Sequence, residues 1–316
     1  MTATTAVEVP AAFESFDRLS QVEMRTQGLP TGIVGRLYAI ARGGGQPIAL
    51  RAAHALADPA VGRVACVTGI AGGPLPVGEV DGPIGAAALA GALTELGRRA
   101  DVVVPGPMRH VAEAVRRAMR ADFGVVMETE AAPGDYDAAV TVEKLGRNRR
   151  GVFHSIFGAP IDDQRPAGDE LVEAIAGAGR PTIGIGDGGN EIGFGAIFDA
   201  AREVVPRGAD CGCPCGDGIV TSTATGIVYP ASVSNFGAYA IIAALGVLEG
   251  RPLLLASPER IAAGMEAAVT NGCLDGGTFE PGRLADDGIP IEGVMAYVAL
   301  LRTIATQHFR TTPRHS

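Results

Sequence analysis

The amino-acid sequence predicts an α/β fold with a doubly wound, mostly parallel sheet and helices on both faces. Short apolar runs alternate with amphipathic helical patterns along the chain, which is typical of parallel strands joined by right-handed crossovers. The 316 residues are 47% hydrophobic but only 5% aromatic, without tryptophan. Ala, Val, Ile and Leu must therefore fill the core, as in buried sheets covered by Ala-rich helices. In such folds, ligands bind at the carboxyl ends of the strands.

The first 30 residues are polar and mixed in character, and they predict an N-terminal segment with one loosely attached helix near residues 13–25. Residues 31–316 predict a single α/β domain, because their Gly- and Pro-rich connections are short enough to be loops. The periodicity predicts, in order, a helix at 47–58, a strand at 61–69, a helix at 82–100, a strand at 101–106, a helix at 108–122, a strand at 136–143, a helix at 170–179 and strands at 181–186 and 227–233. Residues 237–256 predict a buried helix, a turn and a further strand.

Charge and cysteine content narrow the class of protein. A net charge of −9 gives no basic surface for nucleic acid or an anionic membrane, so neither is expected as a partner. Glu249 and Arg251 interrupt the most apolar stretch, where a transmembrane helix needs about 20 largely uncharged residues. Five cysteines do not form a disulfide scaffold in a chain of this length, and no signal-peptide pattern is recognisable. We expect a cytoplasmic protein, and a homo-oligomer stays open.

Residues 182–195, TIGIGDGGNEIGFG, place polar residues inside a glycine-rich turn after an apolar strand. The dinucleotide-binding pattern G-x-G-x-x-G is matched by Gly184, Gly186 and Gly189. However, Asp187 and Glu191 would repel a diphosphate unless a cation intervened. A metal ion or a substrate ammonium group accounts better for these acids. The structural alternative is that Asp187 and Asn190 shape the turn and cap the next helix.

A second acidic pair stands in GEVDGPIG, where one residue separates Glu79 from Asp81. Residues at i and i+2 of an extended segment point the same way, so both carboxylates can face one cation or one proton transfer. The structural alternative is that Asp81 caps the helix that begins near Pro83. Upstream, Thr68 and Gly69 end a strand in a turn, which is where an α/β sheet usually contacts its ligand.

Glu143 ends a predicted strand and precedes a basic loop. A substrate carboxylate could be bound by one of four loop cations, although most members of a charge run are solvated surface; the four are Lys144, Arg147, Arg149 and Arg150. His154 is interpreted as structural, and the five histidines do not suggest a hydrolytic triad. Further along, Ser234 could cap an apolar helix while Asn235 faces the cleft, and Asp275 lies in another glycine-rich turn.

Two further segments are interpreted as loops. Cys211, Cys213 and Cys215 occupy alternate positions, whereas structural zinc needs four ligands and commonly uses pairs two to four residues apart. The spacing is poor and a fourth ligand is missing, so a loop is preferred and a metal site is the less favoured alternative. The three glycines at 43–45 precede a helix, whose free N–H groups could hold a carboxylate or phosphate. Loop flexibility is the preferred interpretation there.

Several blocks together resemble the D-glutamate cyclase family. In order they are TGI, EVDGPIGAAALAGAL, VEKLGRNRRGVFHSIFGAPID, IGIGDGGNEIGFG, SVSNFGAYA and NGCLDG. The resemblance runs from about Thr68 to about Gly293. It implies a metal-assisted hydro-lyase that closes D-glutamate to 5-oxo-D-proline with loss of water. The chain departs from the common family pattern at Val80, Phe194 and Phe236.

The acidic residues suit that reaction, because a carboxylate is a poor electrophile and a divalent cation with hard oxygen ligands can polarise it. We expect Mn²⁺ or Mg²⁺ bound by Glu79, Asp81, Asp187 and Glu191. The expected catalytic residues are Glu191, Glu143, Asp187 and Asn190, with Glu191 or Glu143 as the general base. The expected substrate-binding residues are Thr68, Gly69, Gly186, Gly188, Gly189, Ser234, Asn235 and Asp275, the glycines of the turn supplying backbone N–H groups.

Two other functions stay open at this point. One is a nucleotide-binding or NAD(P)-binding oxidoreductase that uses the G-x-G-x-x-G turn. The other is a non-catalytic protein that binds a small ligand in the same cleft. Cofactor absorbance in the purified protein would favour the first, whereas ligand binding without product would favour the second.

Overall fold

A six-stranded parallel sheet forms the centre of the computed structural model, which describes residues 10–25, 28–162 and 164–310. Its strands are β1 (Arg63–Thr68), β2 (Arg99–Val104), β3 (Gly124–Met127), β4 (Ala138–Val142), β5 (Thr182–Gly186) and β6 (Ile227–Pro230). They lie in the order β3-β2-β1-β4-β5-β6. In doubly wound folds with this order, the direction of winding reverses between β1 and β4. The predicted fold class is confirmed.

Ten α-helices lie in the described part of the chain. They are α1 (Ala11–Ser20), α2 (Ile33–Arg42), α3 (Ile48–Ala57), α4 (Pro83–Glu95), α5 (Arg109–Ala118), α6 (Ala167–Gly177), α7 (Phe198–Val204), α8 (Ser234–Leu248), α9 (Pro258–Thr270) and α10 (Ile291–His308). Near the C-terminus, β7 (Ala285–Asp286) and β8 (Ile289–Pro290) form a small antiparallel ribbon.

The apolar strand residues point alternately to two cores on opposite faces of the sheet. In β1, Val64 and Cys66 belong to a large core shared with α1, α3, α4, α8 and α10. Ala65 and Val67 belong to a smaller core shared with α6. Because successive strand side chains face opposite sides, a continuous apolar run is required when helices cover both faces. This is why the strands read as unbroken Val, Ile and Ala runs.

Several element boundaries differ from the sequence-based predictions. The helix predicted to 100 ends at Glu95, and the apolar helix predicted from Gly237 begins at Ser234. The strand predicted within 251–256 is wrong: there, the Arg251 N–H donates to Gly246 and the chain turns, while Leu254 and Leu255 fill the large core without pairing. The patterns of β3, α2, α9 and α10 were not assigned.

The predicted loose attachment of the N-terminal helix is also wrong. Phe13 and Phe16 of α1 are buried in the large core. The buried carboxylate of Asp17 accepts hydrogen bonds from the N–H groups of Ile48 and Ala49, at 2.6 Å and 3.0 Å. The helix start after the three glycines is therefore occupied by a carboxylate of the protein itself, as expected for free amides at a helix N-terminus.

Among the helices of the described residues, none has the combination of length and apolarity that a bilayer crossing requires.

Candidate active site

A cavity of about 420 Å³ opens at the carboxyl edge of the sheet. The segments that follow β4 and β5 and the loop before α4 line this cavity. It therefore lies beside the position where the winding of the sheet reverses. Glu143 directly follows β4, Asp187 directly follows β5, and Glu79 lies in the loop before α4. The sheet thus brings together acids that are more than a hundred positions apart in the sequence.

Three carboxylates of this edge form a close group. Asp81, Glu143 and Asp187 each offer one oxygen that lies within 4.8 Å of the other two. All three residues are buried. Burial and the neighbouring acids hold the pKa of Asp81 and of Glu143 well above the ordinary values. Burial also raises the pKa of Asp187, to about 6, although Arg25 opposes this shift. Such a group is a candidate site for a hard divalent cation.

Asp81 does not cap the helix that follows it in the sequence. Its Oδ1 accepts hydrogen bonds from the N–H groups of Gly82 and Asn235, and its Oδ2 accepts from the N–H of Ser234. Asp81 therefore receives two N–H groups from the first turn of α8, where a carboxylate is favoured. An ionised carboxylate has about four acceptor positions, so Oδ2 keeps one for a cation.

Glu143 is held by Ser234 and by an unusual backbone conformation. The Ser234 hydroxyl donates to Glu143 Oε2 at 2.5 Å instead of capping α8. Glu143 has a φ of +45°, in the left-handed region that residues other than glycine rarely adopt. Backbone strain of this kind costs about 1–3 kcal/mol and gathers at functional sites. The remaining oxygen, Oε1, has no recorded hydrogen bond that would compete for a ligand within the described residues.

Asp187 forms an ion pair that the sequence analysis missed. Arg25 Nη1 donates to Asp187 Oδ2 at 2.5 Å and to Asp287 Oδ2 at 2.6 Å. The Arg25 side chain is 7% exposed, and its Nη2 has no partner in the described structure. Asp286 and Asp287 extend the acidic group from the β7–β8 ribbon, and burial raises their pKa values as well. The sequence held a signal for these two acids, a DDG turn, but none for Arg25.

Glu191 and the glycines beside it bind each other. The N–H groups of Gly188 and Gly189 donate to the Glu191 carboxylate at 2.8 Å each. The expectation that these amides face a substrate oxyanion is therefore corrected, because their hydrogens are already used. Glu191 lines the cavity but lies outside the close group of Asp81, Glu143 and Asp187. Burial raises its pKa, and the backbone N–H groups oppose that shift.

Glu79 also lies in the cavity wall outside the close group. Its Oε1 is buried without a hydrogen-bond partner in the described structure. Burial, reinforced by Asp287 and Asp81, holds its pKa well above the ordinary value. The expected set of metal ligands thus differs from the close group, which takes Glu143 in place of Glu79 and Glu191.

Several expected substrate-binding residues have structural partners. The Thr68 hydroxyl donates to the Val142 carbonyl, tying β1 to β4. Asn235 Oδ1 accepts hydrogen bonds from the N–H groups of Gly82 and Gly85, and its Nδ2 donates to Asp286 Oδ2. Asp275 accepts from the Gly288 N–H and the Thr278 hydroxyl. The Gly69 carbonyl accepts from Lys144, and the Gly186 carbonyl accepts from the Ala231 N–H. These residues support the site, and none of them is among the residues that line the cavity.

The basic loop does not supply the substrate clamp that was considered. Lys144 is buried against Glu128 at 2.5 Å, Arg147 pairs with Glu173, and Arg149 pairs with Asp217. None of the four loop cations, all of them described, lines the cavity. Asn190, by contrast, lines the cavity. Its buried Oδ1 lacks a partner in the described structure, and its Nδ2 donates to the His154 carbonyl at 2.8 Å.

The cysteine loop lies outside the cavity wall. There the structure corrects the sequence analysis, because His154 joins Cys211, Cys213 and Cys215 as a fourth group with metal-ligating atoms. The sequence indicated this fourth group only through a histidine 57 positions before the first of these cysteines. A separation of that length is not part of any local metal-binding motif.

Comparisons with known proteins show the family of this chain. The family described as "D-glutamate cyclase-like, C-terminal" matches residues 46–302. A human protein named "D-glutamate cyclase, mitochondrial" is 28% identical over 195 residues, which are 55% of this chain and 30% of the human protein. The aligned region therefore spans less than a third of that relative's length. Because the family match covers most of the chain, this protein belongs to the D-glutamate cyclase-like C-terminal family.

Proposed function

We propose that this protein is a metal-assisted hydro-lyase that converts D-glutamate, or a closely related acidic amino acid, to 5-oxo-D-proline and water. The observation that carries the proposal is the close group of Asp81, Glu143 and Asp187, whose oxygens lie within 4.8 Å of one another and two of whose members, Glu143 and Asp187, line the cavity. The family membership supports the same chemistry.

The residues fit a divalent cation with hard oxygen ligands. Each member of the close group keeps an acceptor position after its recorded hydrogen bonds, and Glu79 Oε1 is a buried acceptor without a partner in the described structure. Like charges this close destabilise one another unless protonated or neutralised. The oxygen donors suit Mn²⁺ or Mg²⁺ better than a soft metal. When bound, such an ion would act as a Lewis acid toward the γ-carboxylate.

The side chains have distinct tasks in this proposal. The α-ammonium group of the substrate first loses a proton to Glu143 or Glu191. The nitrogen then forms a bond to the carbon of the γ-carboxylate, and one carbon–oxygen bond of that group breaks. Two protons that started on nitrogen end on the departing oxygen, which leaves as water. A carboxyl group with a raised pKa can both accept and return a proton near neutral pH.

Arg25 and Asn190 are proposed to orient the substrate. Arg25 lines the cavity, and its buried Nη2 has no partner among the described residues. Since a guanidinium binds a carboxylate well, we assign Arg25 to the α-carboxylate. Asn190 Oδ1 is buried, lines the same wall and can accept from the ammonium group. These two contacts place the amine near the acids. They hold the amine and the γ-carboxylate of the substrate in the geometry that ring closure requires.

Nucleotide binding has less support from the geometry. A diphosphate at the G-x-G-x-x-G turn would need the N–H groups that Gly188 and Gly189 give to Glu191. It would also face the carboxylates of Asp187 and Glu191. A non-catalytic ligand-binding protein stays the alternative that only an activity measurement separates. The cytoplasmic location and the oligomeric state stay predictions; the human relative is named as mitochondrial.

The test compares turnover of D-glutamate by the wild type and by Asp187→Asn, with Mn²⁺ and after chelation. Asp199→Asn, on an exposed position of α7, is the matched control. We expect chelation and Asp187→Asn each to reduce turnover at least about 100-fold, since the Lewis acid supplies several kcal/mol, while Asp199→Asn has no effect. Chelator-resistant turnover, or full turnover by folded Asp187→Asn, would refute the assignment.

A further inference from the structure

A second candidate metal site lies outside the acidic cleft, in the cysteine loop that follows α7. The Sγ atoms of Cys211 and Cys213 are 3.1 Å apart, and those of Cys211 and Cys215 are 3.5 Å apart. His154 Nε2 lies 3.4 Å from Cys213 Sγ and 3.7 Å from Cys215 Sγ. All four ligating atoms are within 4.8 Å of one another.

These separations are close to the edges of a zinc coordination tetrahedron. With Zn–S near 2.3 Å and Zn–N near 2.0–2.1 Å, ideal tetrahedral edges are about 3.8 Å between sulfurs and about 3.6 Å between sulfur and nitrogen. The two sulfur–nitrogen distances of 3.4 Å and 3.7 Å are within about 0.2 Å of the ideal edge, whereas the sulfur–sulfur distances of 3.1 Å and 3.5 Å must lengthen by about 0.7 Å and about 0.3 Å. His154 and Cys211 are buried, and Cys213 and Cys215 are half-buried.

The surroundings favour ligation by thiolates and a neutral imidazole. The Cys213 N–H donates to Cys211 Sγ at 3.3 Å, and the Cys215 N–H donates to Cys213 Sγ at 3.4 Å. The Asn148 side-chain amide donates to Cys215 Sγ at 3.5 Å. Such outer hydrogen bonds stabilise metal-bound thiolates and orient them. His154 Nε2 faces the sulfurs of Cys213 and Cys215 and is the ring nitrogen that would coordinate a metal.

We propose that His154, Cys211, Cys213 and Cys215 bind a structural Zn²⁺ ion. Four protein ligands close the tetrahedron and leave no open position, as in structural rather than catalytic zinc sites. Thiolate sulfurs select a softer metal than the carboxylates of the acidic cleft. The chain therefore has two metal sites of different chemistry, one with hard oxygen donors and one with sulfur donors.

The zinc site fixes one wall of the cavity. The His154 carbonyl accepts the Asn190 amide at 2.8 Å, and the next three residues, Ser155, Ile156 and Phe157, line the cavity. Gly158 then packs so closely on the cysteine loop that an added Cβ would be 2.3 Å from the Cys211 carbonyl oxygen. Zinc would connect the two loops covalently and hold Asn190 in place.

The experiment measures metal content and cobalt spectra of the full chain purified under reducing conditions. We expect one zinc per chain, retained at a chelator concentration that removes Mn²⁺ or Mg²⁺. Replacement by Co²⁺ should give the strong visible bands of a tetrahedral site together with thiolate-to-cobalt charge-transfer bands in the near ultraviolet. These spectra require no variant, so they hold even if a mutant fails to fold.

Two variants sharpen the test. Cys213→Ser should weaken zinc affinity by more than the about 10–100-fold that loss of an outer-shell partner costs. Cys273→Ala, which removes a buried thiol outside the cluster, should keep one zinc. The proposal is overturned if reduced wild-type protein holds no zinc and takes up no Co²⁺, if a Cys211–Cys213 disulfide is found instead, or if Cys213→Ser binds zinc as tightly as the wild type.

Discussion

Replacing Arg25 by methionine removes the cation that contacts Asp187 and Asp287 but keeps a side chain of similar length. The side chains of the three residues are only 7%, 8% and 15% exposed. Breaking a buried ion pair by removing one partner costs about 3–5 kcal/mol, because a buried charge is left uncompensated. We therefore expect the free energy of unfolding of metal-free Arg25→Met to fall by about 3 kcal/mol or more at about pH 7.5.

The loss should depend on pH and on metal. Burial raises the pKa of Asp187 to about 6, so near pH 5 its carboxyl group is mostly protonated and needs Arg25 less. The difference in the free energy of unfolding between the wild type and Arg25→Met, here called the deficit, should accordingly shrink as the pH falls from about 7.5 to about 5. Saturating Mn²⁺ should also reduce the deficit, since a cation bound to the acids supplies part of the missing positive charge.

Urea unfolding of the wild type and of Arg25→Met, with and without Mn²⁺, measures these differences. Arg109→Met is the matched control, because Arg109 and Glu130 are 51% and 49% exposed and 3.9 Å apart. Exposed pairs contribute about 0–1 kcal/mol. The reasoning is refuted if Arg25→Met costs no more than Arg109→Met, or if its deficit is the same at both pH values.

Three further predictions concern the same site. Ser234→Ala removes the hydroxyl that donates to Glu143 and should lower kcat for D-glutamate about 10-fold or more. The control is Ser232→Ala, which should leave kcat unchanged because the Ser232 Oγ has no partner in the described structure. Equal kcat values for the two variants would contradict this prediction. Gly186→Ala would place a Cβ 2.7 Å from Glu191 Oε2 and should destabilise the protein by about 1–3 kcal/mol in thermal unfolding, while Gly177→Ala, at the exposed end of α6 with open space around it, should not. Without metal, the native state holds more protons than the unfolded chain between about pH 3.8 and about pH 6, since the ordinary pKa of Asp187 is near 3.8 and its buried value is about 6. The free energy of unfolding should therefore fall as the pH rises through this window. Calorimetry should show Mn²⁺ affinity rising with pH, together with proton release on binding. A pH-independent affinity would contradict that prediction.

The sequence predicted the edge of the sheet where the acids meet, because the argument needed only local patterns. Glu143 and Asp187 each follow an apolar run, and parallel strands bring their carboxyl ends to one edge. Asp81 was found from its spacing with Glu79 in an extended segment, although only Asp81 of that pair belongs to the close group. The family resemblance supported these positions through blocks that include all three acids.

Contacts between distant segments were not accessible to that reasoning. Arg25 reaches Asp187 across 162 positions, and nothing in the polar N-terminal segment marks it. His154 meets the cysteine loop only after the chain folds, so the three cysteines lacked a fourth ligand in the sequence and a loop was preferred to a metal site. The roles of Gly188 and Gly189 were misjudged because the sequence does not reveal that their N–H groups bind Glu191.

A proton NMR time course of the purified protein with D-glutamate, and separately with 5-oxo-D-proline, tests the proposed cyclisation without any variant. Both reactions are followed with Mn²⁺ or Mg²⁺ and again with chelator, and L-glutamate is the stereochemical control. Our account predicts metal-dependent conversion from both directions to one ratio of the D-compounds. No conversion by folded, metal-loaded protein would contradict it, and the acidic cleft would then serve another substrate or bind without turnover.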